Sequence, residues 1–237
     1  MQKISSFIAK ILFPYKKPGM ILLKEKVSTK NLRRLCEENA TKDKVLVVHS
    51  EDIPAYETYF PNAYTVTKRE YIKADMHMDV YYRDLSKIED ESYKFILCTG
   101  LLEHVPDPQR LINDLHRILK PGGKLVISAS AVFSIHEGPH DFFHFTPFSF
   151  QLLFDKWSHI DIKGSSQPFE TVAILLQRIL LQCEVKSRLV LMAVELLCLF
   201  LPKLDSFVAT QYSINGKRED TKIDSMMPSN IQAIAIK

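Results

Sequence analysis

The chain has 237 residues, 46% of them hydrophobic and 25% charged, which fits one or two soluble globular domains. Its 7 glycines are about 3% of the chain, under half the usual share, and none lies between Gly19 and Gly100, so neither a Walker-type phosphate loop nor a G-x-G-x-x-G loop fits in that stretch. A formal net charge of +3 gives no reason to expect a nucleic-acid partner, and the four scattered cysteines (Cys36, Cys98, Cys183, Cys198) form no C-x-x-C pair, which argues for reduced thiols in a cytoplasmic protein.

In chain order, Ile4, Phe7, Ile8, Ile11 and Leu12 fall on one helical face. The run is too short for a signal peptide and has no small-residue cleavage site. Residues 28–40 read as a short helix with Ser28 or Thr29 as cap. Residues 44–48 (KVLVV) form an unbroken apolar run, as buried parallel strands do. Residues 64–67 and 80–82 are weaker strand candidates, and 93–98 is a clearer one. Asp107 and Pro108 suit the cap and first position of a helix. Leu111, Ile112, Leu115, Ile118 and Leu119 then recur at helical spacing. Lys120-Pro121-Gly122-Gly123 turns the chain into a strand over 124–128. Strand, helix, turn and strand make a βαβ unit, and the alternation predicts an α/β fold with a mainly parallel sheet.

After Ser130 the pattern changes. Residues 131–147 are rich in aromatics and histidine, and 171–201 read as two apolar or amphipathic helices. Glu195 interrupts the apolar run from Leu189 to Leu201, which is too short to span a bilayer. This stretch, or residues 1–13, could rest on a membrane surface; otherwise each docks on the core. Residues 231–236 form a last strand, with 207–212 as its expected hairpin partner.

Residues 98–128, CTGLLEHVPDPQRLINDLHRILKPGGKLVIS, resemble the class I S-adenosylmethionine-dependent methyltransferases, type 11-like. In that family the fourth strand leads into Leu-Glu-His-Val, then a helix, then Arg-x-Leu-Lys-Pro-Gly-Gly and the fifth strand. Here these are Leu102 to Val105 and Arg117 to Gly123. The stretch from His136 to Pro147 looks like a bacterial subgroup that usually has an aromatic and Arg where Phe143 and His144 stand. The resemblance covers roughly residues 44–165. It implies a Rossmann-like sheet, mainly parallel with an antiparallel last strand, helices on both faces and a C-terminal helical insertion. The expected segments are an N-terminal helical segment (1–40), the core (41–165), the insertion (166–204) and a C-terminal β-hairpin completing the sheet (205–237).

The resemblance also implies S-adenosylmethionine as cofactor and a small-molecule or sugar-type acceptor. The positions matching the cofactor site are His49, Ser50 and Glu51 after the first strand, Glu70 after the second, Asp84 and Leu85 after the third, and Thr99, Gly100 and Leu101 after the fourth. Glu103 and His104 are the catalytic candidates. His136, His140, Asp141 and His144 are the acceptor-site candidates. The sequence departs from the family at the first loop, where Asp-x-Gly-x-Gly becomes Val47 to Glu51, and at Lys68, where a ribose-binding acid is expected. Those departures keep a second reading open, a catalytically silent methyltransferase-like domain that binds a partner or a membrane surface. His136 to His140 also spells H-E-x-x-H, but Gly138 and Pro139 oppose the helix that zinc hydrolases need, and no metal ligands are assigned.

Overall fold

The computed structural model describes residues 26–48, 58–68, 70, 73–83, 85–213, 216–217 and 225–237. The expected N-terminal helix and the candidates His49, Ser50, Glu51 and Asp84 lie outside the described residues. The chain runs α1 (Val27–Glu38), β1 (Val45–Val48), β2 (Ala63–Thr67), β3 (Met76–His77), β4 (Tyr93–Thr99), α2 (Pro108–Ile118), β5 (Leu119–Ser130), α3 (Pro147–Leu153), β6 (His159–Gly164), α4 (Pro168–Gln182), α5 (Arg188–Leu204), β7 (Tyr212–Ser213), β8 (Gly216–Lys217) and β9 (Asn230–Ile236). One sheet has seven strands in the order β3-β2-β1-β4-β5-β9-β6. The first five run parallel, and β9 lies antiparallel between β5 and β6. This is the expected Rossmann-like arrangement.

Strand alternation explains how both faces are covered. Leu46 and Val48 of β1, with Ile96 and Cys98 of β4, face Leu111, Ile112, Leu115 and Ile118 of α2. The intervening Val45, Val47, Phe95 and Leu97 face Leu35 and Cys36 of α1. The short strands therefore read as unbroken apolar runs because neither face meets water. Helix α2 starts as its sequence dictates: the Asp107 Oδ1 accepts from the Arg110 N–H at 3.1 Å, and Pro108 occupies the first turn.

Two expectations are corrected. Residues 80–82 form a turn and not a strand; the third strand is Met76–His77. Tyr81 there is fully buried in the main core cluster, so its apolarity reflects packing, not pairing. Residues 207–212 do not pair with the last strand. Strand β9 pairs with β5 and β6, and Tyr212–Ser213 pairs with Gly216–Lys217 in a separate ribbon. The alternating burial along β9 suits a strand flanked on both sides, and period-2 pattern alone names no partner.

The Lys120–Gly123 turn lies inside β5 as a bulge, where the register against β4 slips between Tyr93 and Phe95. A Cβ on Gly123 would meet the Lys120 carbonyl oxygen at 2.8 Å and the Lys94 carbonyl oxygen at 3.2 Å. Both are backbone atoms and cannot swing away. Gly123→Ala is expected to lower stability by about 1–3 kcal/mol, read as a lower urea midpoint with an unchanged slope. Cys36, Cys98 and Cys198 are buried and Cys183 is exposed. Burial pushes the Cys36 thiol up to about 12 and Cys198 to about 11, and raises Cys98 as well. A thiol titration of the native protein should label Cys183 alone at neutral pH, with the other three reacting only on unfolding.

Candidate functional site

In open parallel sheets, ligands sit beyond the carboxyl ends of the strands where the strand order reverses. Here that point lies between β1 and β4. A cavity of about 350 Å³ opens on the β5 side of that point, at the carboxyl ends of β4 and β5. Its walls are the ends of β4 (Thr99, Gly100) and β5 (Ser128, Ser130), the following loops, the start of α1 and the start of β9.

Gly100 terminates β4 in the left-handed region, at φ +62°, and its N–H donates to the Ser128 carbonyl at 3.1 Å. Among the described residues beyond its chain neighbours, nothing lies within 4 Å of where a Cβ would stand. The backbone therefore borders open space, a position that glycine fills without strain.

The next turn carries the two catalytic candidates. Glu103 and His104 both line the cavity and are 1% and 2% exposed. Glu103 Oε1 accepts from the Ser130 N–H at 3.2 Å and from its hydroxyl at 2.7 Å. Its Oε2 is buried with no hydrogen-bond partner among the described residues. Burial pushes the Glu103 carboxyl above the usual carboxylate range, against the opposing pull of His104 and Ser130. The His104 ring stacks on Tyr81, with centroids 5.5 Å apart, and its Nδ1 lies 2.7 Å from the His140 carbonyl. That contact places the proton on Nδ1, because a carbonyl can only accept.

The loop after β5 folds back over this turn. The Phe142 N–H donates to the Glu103 carbonyl at 2.9 Å, and the Phe145 N–H donates to the Ser130 carbonyl at 2.7 Å. His136 thereby reaches the cavity, its ring 4.8 Å from that of His104. Burial holds His136 below the usual histidine range, with Asp141 pulling the other way. The other three acceptor-site candidates do not line the cavity. Asp141 stands behind His136 and accepts from its N–H at 2.8 Å. His140 meets the Tyr82 hydroxyl at 2.9 Å, and His144 lies 3.6 Å from Asp141. Residues 136–140 form a loop with no helix, so the H-E-x-x-H spacing does not bring its two histidines to one face.

Among the cofactor-site candidates, Thr99 and Gly100 line the cavity. Leu85 and Leu101 are fully buried in the core, and Glu70 is exposed on a turn. At Lys68, beyond the end of β2, the ammonium lies 3.4 Å from the centre of the Tyr81 ring. Sequence reasoning missed Ser128, Ser130, Arg178 and Gln232, which also line the cavity. For the two serines a signal was present: polar residues two apart at the end of an apolar strand share one face. Arg178 and Gln232 come from distant elements and left none. Ser130→Ala removes one of the two donors that satisfy a buried carboxyl oxygen. It is expected to lower stability by about 1–3 kcal/mol, measured by chemical denaturation.

Residues 31–174 match the methyltransferase-domain family, more than half of the chain. A ubiquinone biosynthesis O-methyltransferase of Coxiella burnetii is 31% identical over 98 residues, a match spanning 34% of this chain and 42% of that relative. Among solved structures, a SAM-dependent methyltransferase from Archaeoglobus fulgidus superposes with a TM-score of 0.54 at 14% identity, covering 89% of this chain and 93% of the other. A Haemonchus contortus phosphoethanolamine N-methyltransferase, in complex with phosphomonomethylethanolamine and S-adenosylhomocysteine, superposes with a TM-score of 0.51 at 14% identity, covering 100% of this chain and 58% of the other. At that identity the structures share the fold.

Proposed function

The chain belongs to the methyltransferase-domain family, and on that premise we propose that it is an S-adenosylmethionine-dependent methyltransferase acting on a small-molecule or sugar-type acceptor. The observation that carries the reading is the cavity at the carboxyl ends of β4 and β5, bordered by the backbone of Gly100, around whose absent Cβ the described residues beyond its chain neighbours leave open space. A cradle of this kind fits close backbone approach by a cofactor. Thr99 and Gly100 would hold it on the β4 side. Bound there, the cofactor supplies an electrophilic methyl group on a sulfonium centre. The chain's own contribution is then mainly orientation, since displacement at a methyl carbon depends on alignment of donor and acceptor. Glu103, His104 and His136 share the cavity with Gly100 and are the residues proposed to meet the acceptor. The chemistry of relatives such as the ubiquinone and phosphoethanolamine methyltransferases supports a small acceptor.

One observation favours the silent-domain reading. Lys68 stands beyond β2, where the family places an acid, and an ammonium cannot accept the hydrogen bonds that ribose hydroxyls donate. Calorimetric titration with S-adenosylmethionine and S-adenosylhomocysteine separates the two. Saturable binding is expected, weakened at least tenfold by Gly100→Asn, which tolerates the left-handed backbone but puts a side chain into the cradle. No heat and no thermal shift at millimolar ligand would overturn the enzyme reading and leave the silent domain.

A peripheral membrane location is the finer part of the proposal. No helix among the described residues is long and apolar enough to cross a membrane. Helix α5 nevertheless turns its glutamate inward and most of its leucines outward. Leu191, Glu195 and Cys198 are buried, whereas Leu189, Val190, Leu196, Leu197, Leu199 and Phe200 are each 42–57% exposed. That outer face suits the headgroup boundary of a bilayer. Co-sedimentation with phospholipid vesicles is expected, and a Leu197→Glu, Phe200→Glu double variant should stay in the supernatant. Equal recovery of both proteins in the supernatant would remove the membrane proposal without touching the fold.

A further inference from the structure

We infer that Glu103, His104 and His136 form a binding site for one divalent transition-metal ion of the zinc and cobalt class at the wall of the cavity. Each residue offers one donor atom, and the three donors lie within 4.8 Å of one another. Two imidazoles and one carboxylate are a donor set that suits zinc, cobalt or iron better than magnesium or calcium, which prefer oxygen alone.

The surroundings prepare each ligand. A histidine binds a metal through the nitrogen that carries no proton, and its other N–H is normally held by a carbonyl or carboxylate. His104 Nδ1 faces the His140 carbonyl at 2.7 Å. His136 Nδ1 faces the Ser134 carbonyl at 3.1 Å and the Asp141 carboxylate at 3.4 Å. Both contacts assign the proton to Nδ1 and the lone pair to Nε2. Asp141 also fixes the His136 backbone, so the ring is oriented from two directions. The third ligand is a carboxylate with one oxygen satisfied by Ser130 and the other, Oε2, buried with no hydrogen-bond partner among the described residues. A buried carboxylate oxygen in that state calls for a positive partner.

The geometry needs a modest closure. A cation about 2.1 Å from each donor holds neighbouring donors roughly 3 to 3.5 Å apart. Loading therefore draws the donors inward by at most about 1–2 Å. His136 can supply that movement because it lies on the loop after β5, outside the sheet. Three protein ligands leave coordination positions facing the cavity, the pattern of open metal sites as opposed to closed structural ones. The site differs from the H-E-x-x-H spelling, since His140 contributes only its carbonyl and the carboxylate comes from the turn after β4. The inference concerns the cation alone and stands whether or not the chain transfers a methyl group.

The test uses the full chain, stripped with a chelator and titrated with Zn²⁺ and, in parallel, with Co²⁺. One equivalent is expected to bind, with a rise in melting temperature and, for Co²⁺, a visible absorption band from nitrogen ligation. His136→Ala should weaken binding at least tenfold and abolish the band while keeping the circular-dichroism spectrum of the parent. His136→Asn replaces it where the alanine form fails to fold. The absence of a stoichiometric site would overturn the proposal. So would binding retained at full strength in the His136 variants, which would assign the metal to surface histidines.

Discussion

The site hangs on one buried carboxylic acid. Glu103 is 1% exposed, and it joins three pieces of chain that are remote in sequence. Its Oε1 takes both donors of Ser130 and ties the turn after β4 to the end of β5. Its main-chain carbonyl takes the Phe142 N–H and hangs the loop after β5 over the same turn. A carboxyl withdrawn this far from water costs several kcal/mol unless its oxygens are engaged. Pulling the turn away from the end of β5 would strip Oε1 of both its donors. His104 and His136 meet across the cavity because both segments are bound to this one residue.

Beneath the site, the sheet supplies rigidity of a different origin. Its central strands are buried on both faces, with α2 closing one and α1 the other. Strand β9 enters antiparallel between β5 and β6, so β5 is paired along its whole functional end. The Ala131 N–H donates to the Ser229 carbonyl at 2.9 Å, which anchors the start of the site loop to the segment entering β9. Buried hydroxyls complete that anchor: Ser165 meets Ser229 at 3.0 Å, and Ser166 meets Thr171 at 2.7 Å. These contacts fasten the start of α4 to the sheet, and α4 in turn receives α1, where the Val27 N–H donates to Gln177 Oε1 at 2.9 Å. The wall of the cavity built from the start of α1 is thus held by the helical addition as well as by the core strands.

The scarce glycines divide by task. Gly123 sits in a bulge where backbone atoms leave no room for a Cβ, and its role is chain geometry. Gly100 sits at positive φ on the wall of the cavity, where its backbone and not a side chain meets the space. The shortage of glycine therefore does not by itself close the cavity, because the described wall on the β4 side keeps the glycine that borders it.

The sequence alone determined the core architecture. Unbroken apolar strands, the Asp107 cap and the Pro-Gly-Gly turn are set by local chemistry and by burial on two faces, so the order of elements in the βαβ unit over 93–130 was legible, although Leu119, expected on the helix, opens β5. It also singled out Thr99, Gly100, Glu103, His104 and His136, which the fold brings to the wall of one cavity, because ligand sites in parallel sheets lie beyond the strand ends. Only the tertiary structure decided the rest. Period-2 alternation marks 230–236 as a strand but carries no name for its neighbours, so the expected hairpin gave way to insertion between β5 and β6. Loop residues 136–144 have no period at all, and which histidine faces the cavity depends on hydrogen bonds to Glu103 and Ser130 from far along the chain. The inward glutamate of α5 was likewise invisible, because an apolar run does not say which of its sides meets the core. Local structure follows from short-range sterics and burial, whereas a site is a set of long-range contacts, and those exist only once the chain has closed on itself.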